Sequence, residues 1–250
     1  MAKKKRLDVL LVERQLAASL ETANTLIGSG VVRVNGLVKE NPASQFPENT
    51  SISLLKQKQF VSRGGDKLAP VLDRFQLNIS GLTCLDIGSS TGGFTDCLLQ
   101  RGAKRVYAVD VGYGILDWKL RQDARVVVLE RTNARYLTKE HIPEAAHLCV
   151  IDASFISLHL LLEPLLQFFS KEVAILALIK PQFQLPPEKI TSGGVITDAR
   201  LHDEAVAMVE QHAKTLGLTP QGVVPAPVRG AKGNQEFFIL LTGVRSNETH

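Results

Sequence analysis

The stretch Leu85-Asp-Ile-Gly-Ser-Ser-Thr-Gly-Gly-Phe-Thr95 runs from an apolar strand through small residues into an amphipathic segment. Strand, tight turn and helix in that order open the cofactor crevice of a doubly wound α/β sheet. Gly88, Gly92 and Gly93 admit a ligand where a Cβ would collide. Asp86, at the end of the strand, is expected to point at that ligand. Asp110 ends the next strand, 24 positions later, where a carboxylate accepts both hydroxyls of an adenosine ribose. A dinucleotide site needs Gly-x-Gly-x-x-Gly, because the middle glycine lets a pyrophosphate reach the helix N-terminus. Here the run is Gly-Ser-Ser-Thr-Gly-Gly, with Ser90 in the middle place. That favours a nucleoside ligand without a pyrophosphate, such as S-adenosylmethionine (AdoMet), with Asp86 suited to its cationic methionine end. The competing reading, a turn that only closes a βα unit, is weakened by Asp110.

Three more charged residues abut apolar strands: Asp152 after Leu148-Cys-Val-Ile151, Lys180 after Ile175-Leu-Ala-Leu-Ile179, and Glu236 before the last strand. Ligands in such sheets bind beyond the carboxyl ends of the parallel strands. If the last strand is antiparallel, its start lies on that same edge, and all three charges converge beside Gly88. Each taken singly is also explained as a strand-end charge turned to water.

A sheet with those ends is what the rest of the chain must supply. Apolar runs at 83–87, 105–110, 126–129, 147–152 and 173–180 alternate with helical segments. A long helix follows from about Arg200 to Leu216, then strands at about 218–224 and 236–242. The loop Pro225 to Asn234 is short enough to make the last two strands antiparallel. The fold class is therefore α/β, a seven-stranded Rossmann-like sheet with its last strand reversed. Ahead of it, Gly64 and Gly65 are expected to break the chain and Asp66 to cap a helix through Leu68, Val71, Leu72 and Phe75. Lys67 then falls in the first turn, where a cation opposes the helix dipole. Its placement asks for a reason outside the helix.

The N-terminal part has a different pattern. Leu7, Leu10, Leu11 and Leu16 recur at helical spacing, Ser19 caps a second helix from Leu20 to Ile27, and Gly28 and Gly30 end it. Val31 to Val38 is a hairpin around Asn35-Gly36, and Ser51 to Leu55 is a further strand. Residues 1–70 hold 11 Lys/Arg against 6 Asp/Glu, so the whole excess of a chain with net charge +4 sits there. A basic module ahead of a neutral one suggests a polyanion partner. A solubility tail alone would also account for Lys3 to Arg6. The polar linker is placed at 60–62, between a module of residues 1–59 and a catalytic domain of 63–245, and 246–250 reads as a disordered tail.

Other classes find little support. The longest aliphatic run, Val173 to Ile179, is far below the roughly 20 residues of a membrane span. No apolar segment follows Met1 to Arg6, so no secretory signal is visible. Cys84, Cys97 and Cys149 lie among apolar residues without metal or disulfide spacing, which fits a reducing, cytoplasmic setting. The histidines have no metal-ligand spacing and are given no role.

Residues 1–55 resemble an S4 RNA-binding domain, although the second helix carries only Glu21 as a charge. RNA contact would then rest on Lys3, Lys4, Lys5, Arg6, Arg14, Arg33 and Lys39, with Arg63 at the start of the catalytic domain; a protein-binding module is the other reading. Four motifs, Ser62-Arg-Gly-Gly-Asp-Lys-Leu68, Leu85 to Thr95, Ile151-Asp-Ala-Ser-Phe-Ile-Ser-Leu158 and Leu178-Ile-Lys-Pro-Gln-Phe183, resemble the TlyA family over nearly the whole chain. That family joins an S4 domain to an FtsJ-like 2′-O-ribose methyltransferase. The resemblance implies a Lys-Asp-Lys-Glu catalytic set on Lys67, Asp152, Lys180 and Glu236. It places AdoMet contacts along Gly88, Ser89, Ser90, Thr91, Gly92 and Gly93, at Asp110 and at Asn133, with Asp152 serving both cofactor and catalysis, in addition to Asp86 as read above. It also implies ribosomal RNA as substrate, with a cytidine 2′-OH as acceptor. Two departures stand out, Gln184 for a usual Glu and Ile115 for a common Gln.

The implied chemistry suits the residues. Methyl transfer to a hydroxyl is an in-line displacement that positioning accelerates, and the hydroxyl must lose its proton. Lys180 would accept or steer that proton, Lys67 would supply a like charge, and Asp152 and Glu236 would orient both ammonium groups. The loop Pro186 to Val195, with Gly193 and Gly194, is expected to close over RNA. Two alternatives remain: a non-catalytic RNA-binding assembly factor, and a membrane-active haemolysin.

Overall fold

The two hydrophobic periodicities form separate units, Met1–Lys58 and Gln59–His250. The computed structural model describes residues 3–55, 59–190, 193–230 and 232–245; the tail read as disordered, 246–250, lies outside them.

In the first unit, β1 (Lys4–Arg6) leads into α1 (Leu7–Glu13) and α2 (Leu20–Gly28). The Ser19 hydroxyl accepts a hydrogen bond from Thr22 N at 3.2 Å, the cap its position predicts. β2 (Val32–Val34) and β3 (Leu37–Val38) form the hairpin. Asn35 and Gly36 both have positive φ, +51° and +82°, as a two-residue turn matched to strand twist requires. β4 (Gln45–Pro47) pairs with β1, and β5 (Ile52–Leu54) pairs with β2. Leu7, Leu11, Ala23, Ile27, Val32 and Val34 form the core. Strand β1 was not foreseen, because three consecutive basic residues carry no apolar alternation; its main-chain ladder with β4 holds it.

In the second unit, α3 (Arg63–Arg74) precedes β6 (Thr83–Ile87), α4 (Gly93–Gln100), β7 (Arg105–Val109), the single turn α5 (Trp118–Arg121), β8 (Val126–Leu129) and β9 (Leu148–Ile151). Then come α6 (Leu162–Leu165), β10 (Glu172–Ile179), α7 (Pro181–Gln184), α8 (Ala199–Thr215), β11 (Thr219–Pro225) and β12 (Phe237–Val244). The seven strands are ordered β11-β12-β10-β9-β6-β7-β8, with β12 antiparallel to both of its neighbours. Leu85, Ile87, Val109, Ile151 and Phe168 pack on one face, and Cys84, Val106, Leu98 and Phe238 on the other, each large side chain contributing about 1.5–3 kcal/mol by burial. The sheet buries all three cysteines as free thiols. Burial pushes the Cys84 and Cys97 thiols up to about 12, so neither is a nucleophile.

Two expectations change. Phe60 to Ser62, read as linker, belong to the second unit. Phe60 is buried, Val61 N donates to the buried Asp96 Oδ2 at 2.9 Å, and Ser62 caps α3. Gly64 and Gly65 do not break the chain, and Asp66 is not the cap. Both glycines lie in the first turn of α3, where a Cβ on Gly65 would sit 2.1 Å from Phe60 and one on Gly93 would sit 2.8 Å from Gly65 N. They permit the close approach of α3 to the start of α4. Lys67 therefore lies one turn deeper than expected, where the helix dipole opposes it less.

Candidate active site

Because β9 ends at Ile151, β10 at Ile179 and β12 begins at Phe237, Asp152, Lys180 and Glu236 are the first residues off one edge of the sheet. The register Ile179↔Phe237 makes Lys180 and Glu236 neighbours across the β10–β12 ladder, and α3 brings Lys67 to the same place. The four form two ion pairs. Lys67 Nζ lies 2.6 Å from Glu236 Oε2, and Lys180 Nζ lies 2.6 Å from Asp152 Oδ1. Lys180 also donates to Ser154 Oγ at 2.8 Å and to the Asp152 carbonyl at 3.3 Å. An incoming hydroxyl would compete with these contacts, Ser154 being the neutral side chain among them.

These four residues line a cavity of about 600 Å³, together with Arg63, Ser154, Phe155, Phe183 and Lys232. A second cavity, of about 710 Å³, follows the ends of β6, β7 and β8 and is lined by Gly88, Ser90, Asp110, Asn133, Asp152 and Ile156, among others. A smaller recess of about 200 Å³ runs over the glycine turn, past Ser89, Thr91 and Gly93. Gly88, Ser90 and Asp152 border all three. A donor in the second cavity and an acceptor in the first would meet there.

The residues assigned to a cofactor divide by position. Gly88 has φ +82°, and a Cβ on it would lie 2.8 Å from the Asp152 carbonyl, so only glycine leaves the junction open. Asp110 Oδ2 accepts from Ser90 N at 2.8 Å, and Oδ1 accepts from Gly112 N at 2.7 Å. A carboxylate has about four acceptor directions, so Asp110 retains capacity for a ribose diol. Asn133 Oδ1 caps the following turn through Arg135 N at 3.1 Å, leaving its amide nitrogen toward other partners. Gly92, with φ +95°, packs where a Cβ would strike Leu120 Cδ1 at 2.2 Å; it lines none of the three spaces and serves packing.

Asp86 is a correction. It is fully buried, borders none of the three spaces, and accepts from Thr95 Oγ1 at 2.6 Å. Strand alternation puts its side chain on the Cys84 face, under α4, so it braces the glycine turn from below instead of meeting a methionine. Its Oδ1 has no hydrogen-bond partner among the described residues. Burial raises its carboxyl to about 7. A carboxyl raised in this way favours the folded state fully below its ordinary value near 4, and that contribution is lost as pH rises through about 7. Asp86→Asn should therefore gain stability relative to the parent between about pH 4 and pH 7, by a few kcal/mol at most. Denaturant midpoints across that range check it, and a pH-independent difference would contradict the assignment.

Several site features gave no sequence signal of their own. Phe155 is 91% exposed with φ +62°, a backbone conformation an aromatic residue rarely adopts. It borders both large cavities and rests 5.1 Å from Phe183, centroid to centroid. Left-handed backbone at a non-glycine cannot be read from residue type. Gln184 is buried, and its Oε1 accepts from Ser157 Oγ and Leu158 N, both at 3.0 Å. The carbonyl half of an amide does there what a carboxylate would. In the loop expected to close over RNA, Ile190 and Gly194 border the 600 Å³ cavity, while residues 191 and 192 lie outside the described ones.

Comparison with known proteins shows the family. A family model described as FtsJ-like methyltransferase matches residues 60–242. The 16S/23S rRNA (cytidine-2′-O)-methyltransferase TlyA of Mycobacterium tuberculosis is 45% identical over 96% of this chain and 91% of its own length. Hemolysin A of Brachyspira hyodysenteriae is 36% identical over 93% of this chain and 98% of its own. A solved structure of a candidate hemolysin from Streptococcus thermophilus superposes with a TM-score of 0.74 at 37% identity, covering 98% of this chain and 90% of that one. Among the described residues no helix is long and apolar enough to cross a membrane.

Proposed function

The chain belongs to the FtsJ-like methyltransferase family, and from that premise we propose that it transfers the methyl group of AdoMet to a ribose 2′-hydroxyl of ribosomal RNA, a cytidine as in its TlyA relatives. The observation that carries this reading is the junction of Gly88, Ser90 and Asp152, shared by both large cavities, with the Lys180–Asp152 pair on it. Bound AdoMet supplies an electrophilic methyl on a sulfonium. Asp110 and Asn133 would hold the nucleoside end, and the open face of Gly88 to Gly93 would admit the rest. On the acceptor side, the 2′-oxygen would displace Ser154 from Lys180. Lys180, having first released one ammonium proton to solvent, is then the neutral amine placed to take the hydroxyl proton as the C–O bond forms and the sulfonium C–S bond breaks, leaving a neutral thioether. Asp152 keeps that ammonium in place, while the Lys67–Glu236 pair fixes the far wall. Phe155, exposed at the mouth, offers a stacking face for an unpaired base.

The N-terminal unit would hold structured RNA. Lys5 is paired with Glu13 and Glu48, Arg6 with Asp8, and Arg14 donates to the backbone carbonyls of Glu48 and Thr50. Lys3, Lys4, Arg33 and Lys39 have no ion-pair partner among the described residues and are the better phosphate ligands. Arg33→Ala with Lys39→Ala should weaken RNA binding and flatten its dependence on log salt, by about one unit for each phosphate left without its cation, with AdoMet affinity unchanged. Equal slopes for variant and parent would remove these residues from the interface.

Transfer of labelled methyl from AdoMet to unmodified ribosomal subunits and to naked rRNA tests the function. Label recovered in alkali-resistant dinucleotides reports a blocked 2′-hydroxyl. Label recovered only in alkali-labile nucleotides would mean base methylation and overturn the proposal.

A further inference from the structure

Asn234 lies 2% exposed in the loop before β12, and both ends of its amide are used. Oδ1 accepts from Ile196 N at 2.8 Å, and Nδ2 donates to the Gly194 carbonyl at 2.7 Å. One side chain thus ties the segment after α7 to the segment before β12. Its backbone carbonyl also accepts from Gly230 N at 3.0 Å. Gly230 in turn lies against Glu236, where a Cβ would sit 2.4 Å from Glu236 Oε1. Ile196 is itself anchored, packing with Leu185 and Ala205 while its carbonyl lies 3.0 Å from His202 Nε2. Gly194, Gly230, Lys232, Asn234 and Glu236 all border the 600 Å³ cavity, and none borders the 710 Å³ one.

We propose that Asn234 is a positioning residue for the acceptor: by clamping Gly194 and Ile196 it sets the wall that holds the ribose against Lys180 and keeps Glu236 on Lys67. The inference rests on the proposed methyl transfer and deepens it. Only an amide serves here. The clamp needs an acceptor for one N–H and a donor for one carbonyl on the same planar group, and a buried carboxylate would set an oxygen against the Gly194 carbonyl beside Glu236. A small displacement of reacting groups is enough to cost about a hundredfold in rate.

The test measures single-turnover methyl transfer, AdoMet affinity and melting temperature for the full chain. Asn234→Ala should lower the single-turnover rate by about 10- to 100-fold with AdoMet affinity unchanged, because the cofactor cavity is lined elsewhere. If the alanine variant fails to fold, Asn234→Asp retains the shape and the bond from Ile196 and exchanges the donation to Gly194 for an oxygen–oxygen repulsion; the same split is expected. A parental rate in the folded variants would overturn the inference, as would a rate loss matched by an equal loss of AdoMet affinity. The parent protein run alongside separates the two levels: no ribose methylation by it would refute the proposed function, whereas an active parent with equally active variants would refute Asn234 alone.

Discussion

Lys180→Ala is expected to lower single-turnover methyl transfer by about 10²- to 10⁴-fold, the range for removal of an acid–base group, while AdoMet binding persists. The residue is 7% exposed and its ammonium is held by Asp152 and Ser154; the Asp152 side chain, 21% exposed, keeps contact with water when the lysine is gone. Lys180→Arg sharpens the result. Guanidinium keeps the charge but holds its protons at any working pH, so an arginine that restored activity would show that charge placement is enough. Our assignment expects arginine to remain as impaired as alanine. Near-parental turnover in Lys180→Ala, with RNA binding intact, would end the role assigned to this residue.

Breaking the other pair should act first on stability. Glu236 is 3% exposed and the Lys67 side chain 12%, so Glu236→Ala strands a desolvated cation, at a cost of about 3–5 kcal/mol. Replacing both by apolar residues of similar size, Lys67→Met with Glu236→Leu, removes the stranded charge and should recover most of that stability. Activity should not return, since the wall beside the acceptor has lost both charges. Urea unfolding of the two variants checks the first part, and methyl transfer by the double variant checks the second. An active double variant would reduce the pair to a structural element.

Much of this site was legible before any coordinates. Strand alternation and chain order place Asp152, Lys180 and Glu236 on one edge, because each stands where an apolar run stops and a strand has only two ends. The seven strands and the reversed last one follow from the same runs and from the short connection after Pro225. What escaped depends on direction and close approach. Asp86 lies in the cofactor motif, yet alternation turns it inward to Thr95, and a motif carries no side-chain direction. Gly64 and Gly65 look like chain breakers, but their lack of Cβ lets α3 meet α4. Ser154, Phe155 and Asn234 act through a single hydrogen bond, a left-handed backbone and a clamp between distant loops, none of which leaves a periodic trace. In the N-terminal unit, Lys5 and Arg6 counted equally toward the charge excess until their pairing with Glu13, Glu48 and Asp8 set them apart from Lys3 and Lys4.

The central claim is that this constellation delivers a methyl group to a ribose oxygen. Once the modified nucleotide is mapped, the decisive measurement is methyl transfer to RNA carrying 2′-deoxycytidine at that one position. The substituted RNA is expected to bind as the parent RNA does and to receive no methyl group. Methylation of the deoxy substrate would place the acceptor on the base, and the roles proposed for Lys180 and Asp152 would fall with it.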